Sequence, residues 1–242
     1  MLAILVGDFT AGEKLAQQAL AAGQQMQVEN VDGTFGIQMF TIQREKGGLH
    51  GLTPIIKRFV EQNPQATTWR PGLALIYSDL GLESEARAQF EHLAVSNFAS
   101  IPQDALWVGS MAYLSEVCAF LGDTARADIL YRLLLPYARL NIVVGFAVVC
   151  HGSASRYLGL LAAIMSRWTE AEQHFEAALE MNIRMGAKPW LAHTQVQYAA
   201  MLLARGQPED RERAMSLLDE ALTTANGLDM KFLVEKVEKL KQ

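Results

Sequence analysis

The chain has 242 residues, of which 50% are hydrophobic, 19% charged and 8% aromatic. That is ample apolar material for a core and too little charge for a disordered tail, and the length suits one or two ordinary domains or one repeat array. Lys and Arg number 21 against 26 Asp and Glu, so the net charge is −5 with no basic run, which argues against nucleic acid as a partner.

The first six residues, Met1 to Val6, are apolar but lack a basic lead-in, so they are not a signal peptide. They read as the last turn of a helix whose beginning is missing. A solenoid should begin with a polar cap, so an excised chain, or a neighbouring domain at the N-terminal end, is expected. Gly7 to Gly12 approaches a phosphate loop, but Glu13 stands where that motif needs Lys, and Leu15 follows Lys14. No nucleotide site and no cofactor is expected there.

A pattern then recurs along the chain. Gly81, Ala86 and Phe90 are matched by Gly122, Ala127 and Tyr131, and by Ser166, Ala171, Phe175 and Ala178. Weaker copies are Gly7-Gly12-Ala16-Ala19, Gly47-Leu52-Ile56-Phe59 and Gly206-Ala214-Leu218-Ala221. Starts at 7, 47, 81, 122, 166 and 206 recur every 34 to 44 residues, the period of one helical hairpin per repeat. The small residue ends one helix in a left-handed turn, a polar residue caps the next, and the following positions share one helical face.

Between these segments, helices are expected over 67–80, 104–121, 145–165 and 189–204, with an amphipathic final helix over 228–241. Pro71, Pro102 and Pro189 fall near helix starts, whereas Pro54 predicts a late start at Thr53 and Pro136 a break near Leu135. The repeats lie near 1–23, 25–63, 66–98, 102–140, 143–185 and 187–226, all in one domain. The longest apolar stretch, Ile142 to Cys150, is far short of the roughly 20 residues of a membrane span. A cytoplasmic location is expected, with Cys118 and Cys150 as buried thiols.

The spacing resembles the tetratricopeptide repeat: Leu158-Gly159, Ala162, Ala171, Phe175 and Ala178 follow its skeleton in order, and Leu73-Ala74, Tyr77, Ala86 and Phe90 do so again. The resemblance covers essentially the whole chain. It implies an all-α fold, a right-handed α-solenoid of about six antiparallel helical hairpins. The family period is 34, and the longer, irregular intervals here resemble the C-terminal sensor regions of bacterial signalling NTPases and adenylate-guanylate cyclases. Met1 to Val6 fits such a parent.

Signals for chemistry are sparse. The histidines His50, His92, His151, His174 and His193 never pair at helical spacing, so no metal is expected. Ser153 and Ser155 near His151 lack the strand-to-helix turn that exposes a nucleophile. Gly145, Gly152 and Gly159 are each seven apart and so are expected along one stripe of one helix, either as a tight seam or as a cleft lined also by Cys150 and His151. Trp69, Trp107, Trp168 and Trp190 are either core or groove anchors.

The resemblance projects inner-facing positions at Thr34, Ile37, Thr41, Arg44 and Glu45; at Thr68, Leu75, Ser78 and Asp79; at Gly109, Ala112, Glu116 and Ala119; at Ser153, Arg156 and Leu160; and at His193 and Val196. The charged members Arg44, Asp79, Glu116, Arg156 and His193 form the candidate groove, wet and able to select a partner, with Glu116 and Arg156 able to pair. The expected function is non-catalytic protein or peptide binding in a regulatory region of a larger signalling protein. The alternatives are a small-molecule sensor closing around its ligand and an oligomerisation module.

Overall fold

The structure, a computed structural model of the chain, describes residues 1–62 and 69–242. Among the described residues it is helical except for one small hairpin. The helices come in pairs: α1 (Leu2–Val6) with α2 (Phe9–Gln25), α3 (Val31–Glu45) with α4 (Leu49–Gln62), α5 (Arg70–Asp79) with α6 (Glu83–Ala94), and α7 (Trp107–Leu121) with α8 (Thr124–Leu134). The hairpin β1 (Asn141–Val144) and β2 (Val149–Ser153) follows. Then come α9 (Ala154–Ile164) with α10 (Trp168–Met185), α11 (Lys188–Arg205) with α12 (Asp210–Gly227), and α13 (Lys231–Lys241). Thr67, Thr68 and the side chain of Phe59 lie outside the described residues.

The repeat punctuation is present. All six repeat starts, Ser166 included, sit in the left-handed region with φ between 57° and 89°. The side chains of Asp8 and Asp123 accept the N–H of Ala11 (2.9 Å) and Arg126 (3.0 Å), capping α2 and α8. The framework positions Ala86, Phe90, Ala127, Ala171, Phe175, Ala178, Ala214, Leu218 and Ala221 have no exposed surface. Each fully buried Phe or Leu contributes roughly 1.5–3 kcal/mol by leaving water.

Two expectations are corrected. The 145–165 helix is instead the β-hairpin followed by α9. Val143 pairs with Cys150 and Val144 with Val149, the register slips before Asn141–Ser153, and Gly145 and Ala147 turn the chain with φ 62° and 59°. Ile142, Val143, Val144, Val148 and Val149 are β-branched, and an apolar run that short fits a strand as well as a helix. Pro54 does not delay α4, which begins at Leu49 and carries the proline inside it, whereas Pro136 does end α8, in a 3-10 turn at Leu135–Tyr137.

The first helices of successive pairs pack on one another, α5 on α7, α7 on α9 and α9 on α11. Elements far apart in the chain also meet. The first helix α1 touches α11, α13 touches both α3 and α11, and α3 touches β2. No helix among the described residues is long and apolar enough to cross a membrane.

Candidate functional site

The five charged residues projected onto the inner surface lie in its interior, one each from α3, α5, α7, α9 and α11. Arg44 Nε donates to Asp79 Oδ2 at 2.7 Å, and its Nη2 donates to Glu116 Oε2 at 2.5 Å. Glu116 Oε1 accepts from Arg156 Nη2 at 3.1 Å, a pairing the sequence left open. At one end Lys236 Nζ of α13 reaches Asp79 Oδ1 at 3.3 Å and lies 4.1 Å from the centre of the Phe232 ring. The fifth residue, His193, does not join this chain directly; its Nε2 donates to the Glu45 carboxylate at 2.9 Å.

The expectation that these charges line a wet groove is corrected. The relative exposure of Arg44 is 3%, of Glu116 8%, of Arg156 0% and of His193 3%, and the Asp79 side chain is equally covered. Projected neighbours Thr41, Leu75, Ser78, Ala112, Ser153 and Val196 are buried as well. The physical reason is packing by distant elements: Lys236 and Phe232 of α13 cover Asp79 and Arg44, and His151 of β2 lies against Tyr113 and Trp190.

Burial alone would raise the Glu116 carboxyl. The Arg44 and Arg156 guanidiniums outweigh burial and hold it well below the usual carboxylate range. Glu45 is lowered likewise, against burial, by His193 and then Arg44. Arg44 is raised, again against burial, by Asp79 and Glu116. Such pairs recover the cost of desolvation only while both members are present.

An aromatic nest links the two halves of the network. Tyr113 Oη lies 2.8 Å from His151 Nε2, His151 meets Trp190 edge to face with centroids 4.9 Å apart, and Trp190 stacks on His193 at 5.5 Å. Burial, then Arg44 and Arg156, push the His151 pKa down to about 3, so its ring is neutral. Arg156 lies over the Tyr157 ring at 4.1 Å, and its Nε and Nη1 have no hydrogen-bond partner among the described residues. Asn182 binds the hairpin to α11: it accepts from Ser153 N–H (3.1 Å) and donates to Trp190 O (3.2 Å) and Thr194 Oγ1 (3.1 Å).

The other sequence signals become framework. Glu13 pairs with Lys46, and Ser153 Oγ accepts from Ser155 N–H at the start of α9. His174 Nε2 lies 2.9 Å from Tyr131 Oη. The glycine stripe does not form: Gly145 is in the hairpin turn, a side chain at Gly152 would meet Trp190 Cβ at 2.5 Å, and one at Gly159 would meet the Phe175 ring at 3.0 Å. Trp107 and Trp190 are core residues, both thiols are buried, and burial pushes Cys118 up to about 12. Among the described residues no group of three or more His, Cys, Asp or Glu is arranged to hold a metal ion.

Sequence reasoning missed Lys236, His151, Tyr113 and Asn182 as members of this network. Glu45 was among the projected inner positions, and the spacing of Phe232 and Lys236, one helical turn apart, was a visible signal for a cation on a ring. Comparison of the chain with protein-family models, with curated proteins and with solved structures finds no match in any of the three.

Proposed function

We propose that this chain is a non-catalytic protein- or peptide-binding domain: a tetratricopeptide-like, right-handed solenoid of about six hairpins, drawn closed around its inner surface. The observation that carries the reading is the convergence of Arg44, Asp79, Glu116, Arg156 and His193, one from each successive inner helix. Equivalent positions of stacked hairpins form one continuous inner face, which is how repeat proteins build a binding surface. In the closed form Arg44, Asp79, Glu116 and Arg156 pair with one another and His193 pairs with Glu45. A partner carrying its own carboxylates replaces Asp79 and Glu116 on Arg44 and Arg156, so the guanidiniums set register while apolar contacts supply affinity. The assignment to a cytoplasmic regulatory region of a larger bacterial signalling protein rests on the resemblance of the repeats.

The test is a displayed peptide library panned against the domain, followed by hydrogen exchange on the selected complexes. Peptides that bind should carry carboxylates, change exchange in α3, α7 and α9, and lose binding to a folded Arg156→Met variant. Peptides that bind Arg156→Met equally well and perturb only α6, α8 or α10 would reject the inner face as the binding surface.

A further inference from the structure

The tip of the β-hairpin carries the most exposed large hydrophobic residue described. Phe146 is 95% exposed, and Val143 on the adjoining strand is partly exposed as well. Phenylalanine belongs among the residues most often buried. Its position is held, not loose. Gly145 N–H donates to Ala105 O at 2.8 Å on one side of the tip, and Gln38 Nε2 donates to Val148 O at 3.3 Å on the other. The flanking left-handed residues Gly145 and Ala147 turn the ring outward.

Beside this knob is a small apolar cleft of about 50 Å³. Ile37, Phe40, Leu106, Tyr113 and Val144 line it, and Val144 is two residues from Phe146. Its hydroxyls are already engaged: Ser110 Oγ donates to Leu106 O at 3.1 Å, and Tyr113 Oη sits 2.8 Å from His151 Nε2. The lining therefore suits an apolar occupant and offers a polar one little. Gly72 leaves room in the wall, since a side chain there would meet nothing within 4 Å.

We infer that Phe146 of one copy of this chain fills the cleft of a second copy, forming a two-fold dimer. A knob and a hole side by side on one face make that face self-complementary, the condition for an isologous contact: each copy gives its Phe146 and receives the other's. Exposed Ile55, next to the cleft residue Ile56 on α4, supplies further apolar rim. The cleft borders the projected inner face, since Ile37 and Tyr113 line it, but the oligomeric state is read without any peptide present.

Analytical ultracentrifugation of the full chain over a wide concentration range tests it. The wild type should pass from monomer to dimer, while Phe146→Ser, which removes the knob, and Gly72→Leu, which fills the hole, should each stay monomeric with unchanged circular dichroism. Mixing these two variants should restore association, because one intact knob then meets one intact hole. A monomeric wild type, or dimers that survive Phe146→Ser or Gly72→Leu, would overturn the inference. A monomeric wild type whose uptake of the apolar dye ANS is lost in Gly72→Leu would overturn it in favour of a small apolar ligand.

Discussion

Glu45 and His193 are 148 residues apart in the chain, yet the Glu45 carboxylate accepts from His193 Nε2 at 2.9 Å in the interior. This contact ties the end of α3 to α11 and marks the closure of the helix array. Replacing His193 with Ala leaves the Glu45 carboxylate buried without its imidazole, at an expected cost of about 3 kcal/mol. The double variant Glu45→Gln, His193→Gln should recover part of it. Denaturant titration measures both, and a cost for His193→Ala below about 1 kcal/mol would show that the contact does not hold the array closed.

The Glu116 node is asymmetric. Glu116 serves two guanidiniums, whereas Arg156 uses only Nη2 and leaves Nε and Nη1 without acceptors among the described residues. Glu116→Gln should therefore cost about 3–5 kcal/mol, and Arg156→Met, which keeps the length and the contact with Tyr157, about 1 kcal/mol or less. Equal costs from urea unfolding would contradict the asymmetry.

Acid should destabilise the fold in two stages. His151 has a pKa depressed from 6.5 to about 3, so between those values the unfolded chain takes up a proton that the folded one refuses. Stability thus falls as pH drops through that window, by at most about 1.4 kcal/mol per pH unit. Glu116 and Glu45, lowered in the fold from 4.5, contribute stability that is present above 4.5 and is lost as pH falls through their folded values. His151→Asn should reduce the slope from pH 6.5 down to about 3, most cleanly above 4.5, where Glu116 and Glu45 do not contribute and His174, lowered by burial, supplies the remainder. An unchanged slope in that upper range, from urea titrations in a pH series, would remove His151 as its source.

Two glycines with similar backbone angles should differ sharply. At Gly81 (φ 72°) an added methyl meets nothing within 4 Å, so Gly81→Ala should cost only the left-handed strain, about 1 kcal/mol. At Gly152 (φ 73°) it strikes Trp190 Cβ at 2.5 Å and Asn182 Oδ1 at 2.8 Å. Gly152→Ala should cost about 3 kcal/mol or more and shift the Trp190 fluorescence, since the seam between β2 and α11 must open. Matching melting temperatures for the two variants would show that the seam yields freely.

Much of the local design was legible from residue order. The left-handed turns at Gly81, Gly122 and even Ser166, and the burial of Ala171, Phe175 and Ala178, follow from a few neighbouring residues: a sharp turn needs a small or tolerant residue, and every third or fourth position shares a helical face. The projection also picked out Arg44, Asp79, Glu116, Arg156 and His193, whose side chains are buried, because the side of a helix that a residue occupies depends only on the phase of that helix.

Only the tertiary structure decided whether Ile142 to Cys150 would be helix or hairpin and whether the inner face would be open or shut. A short β-branched run is compatible with either conformation, and its packing against α7 and α1 selects the strands. The burial of these charges depends on α3 meeting α13 and, through Glu45 and His193, α11, which are far away in the chain, so no local stretch of sequence determines it. For this reason Arg44, Asp79, Glu116 and Arg156 were recognisable as a set from sequence, while their dryness, the reach of Lys236 to Asp79 and the pairing of Glu45 with His193 were set by elements far apart in the chain meeting one another.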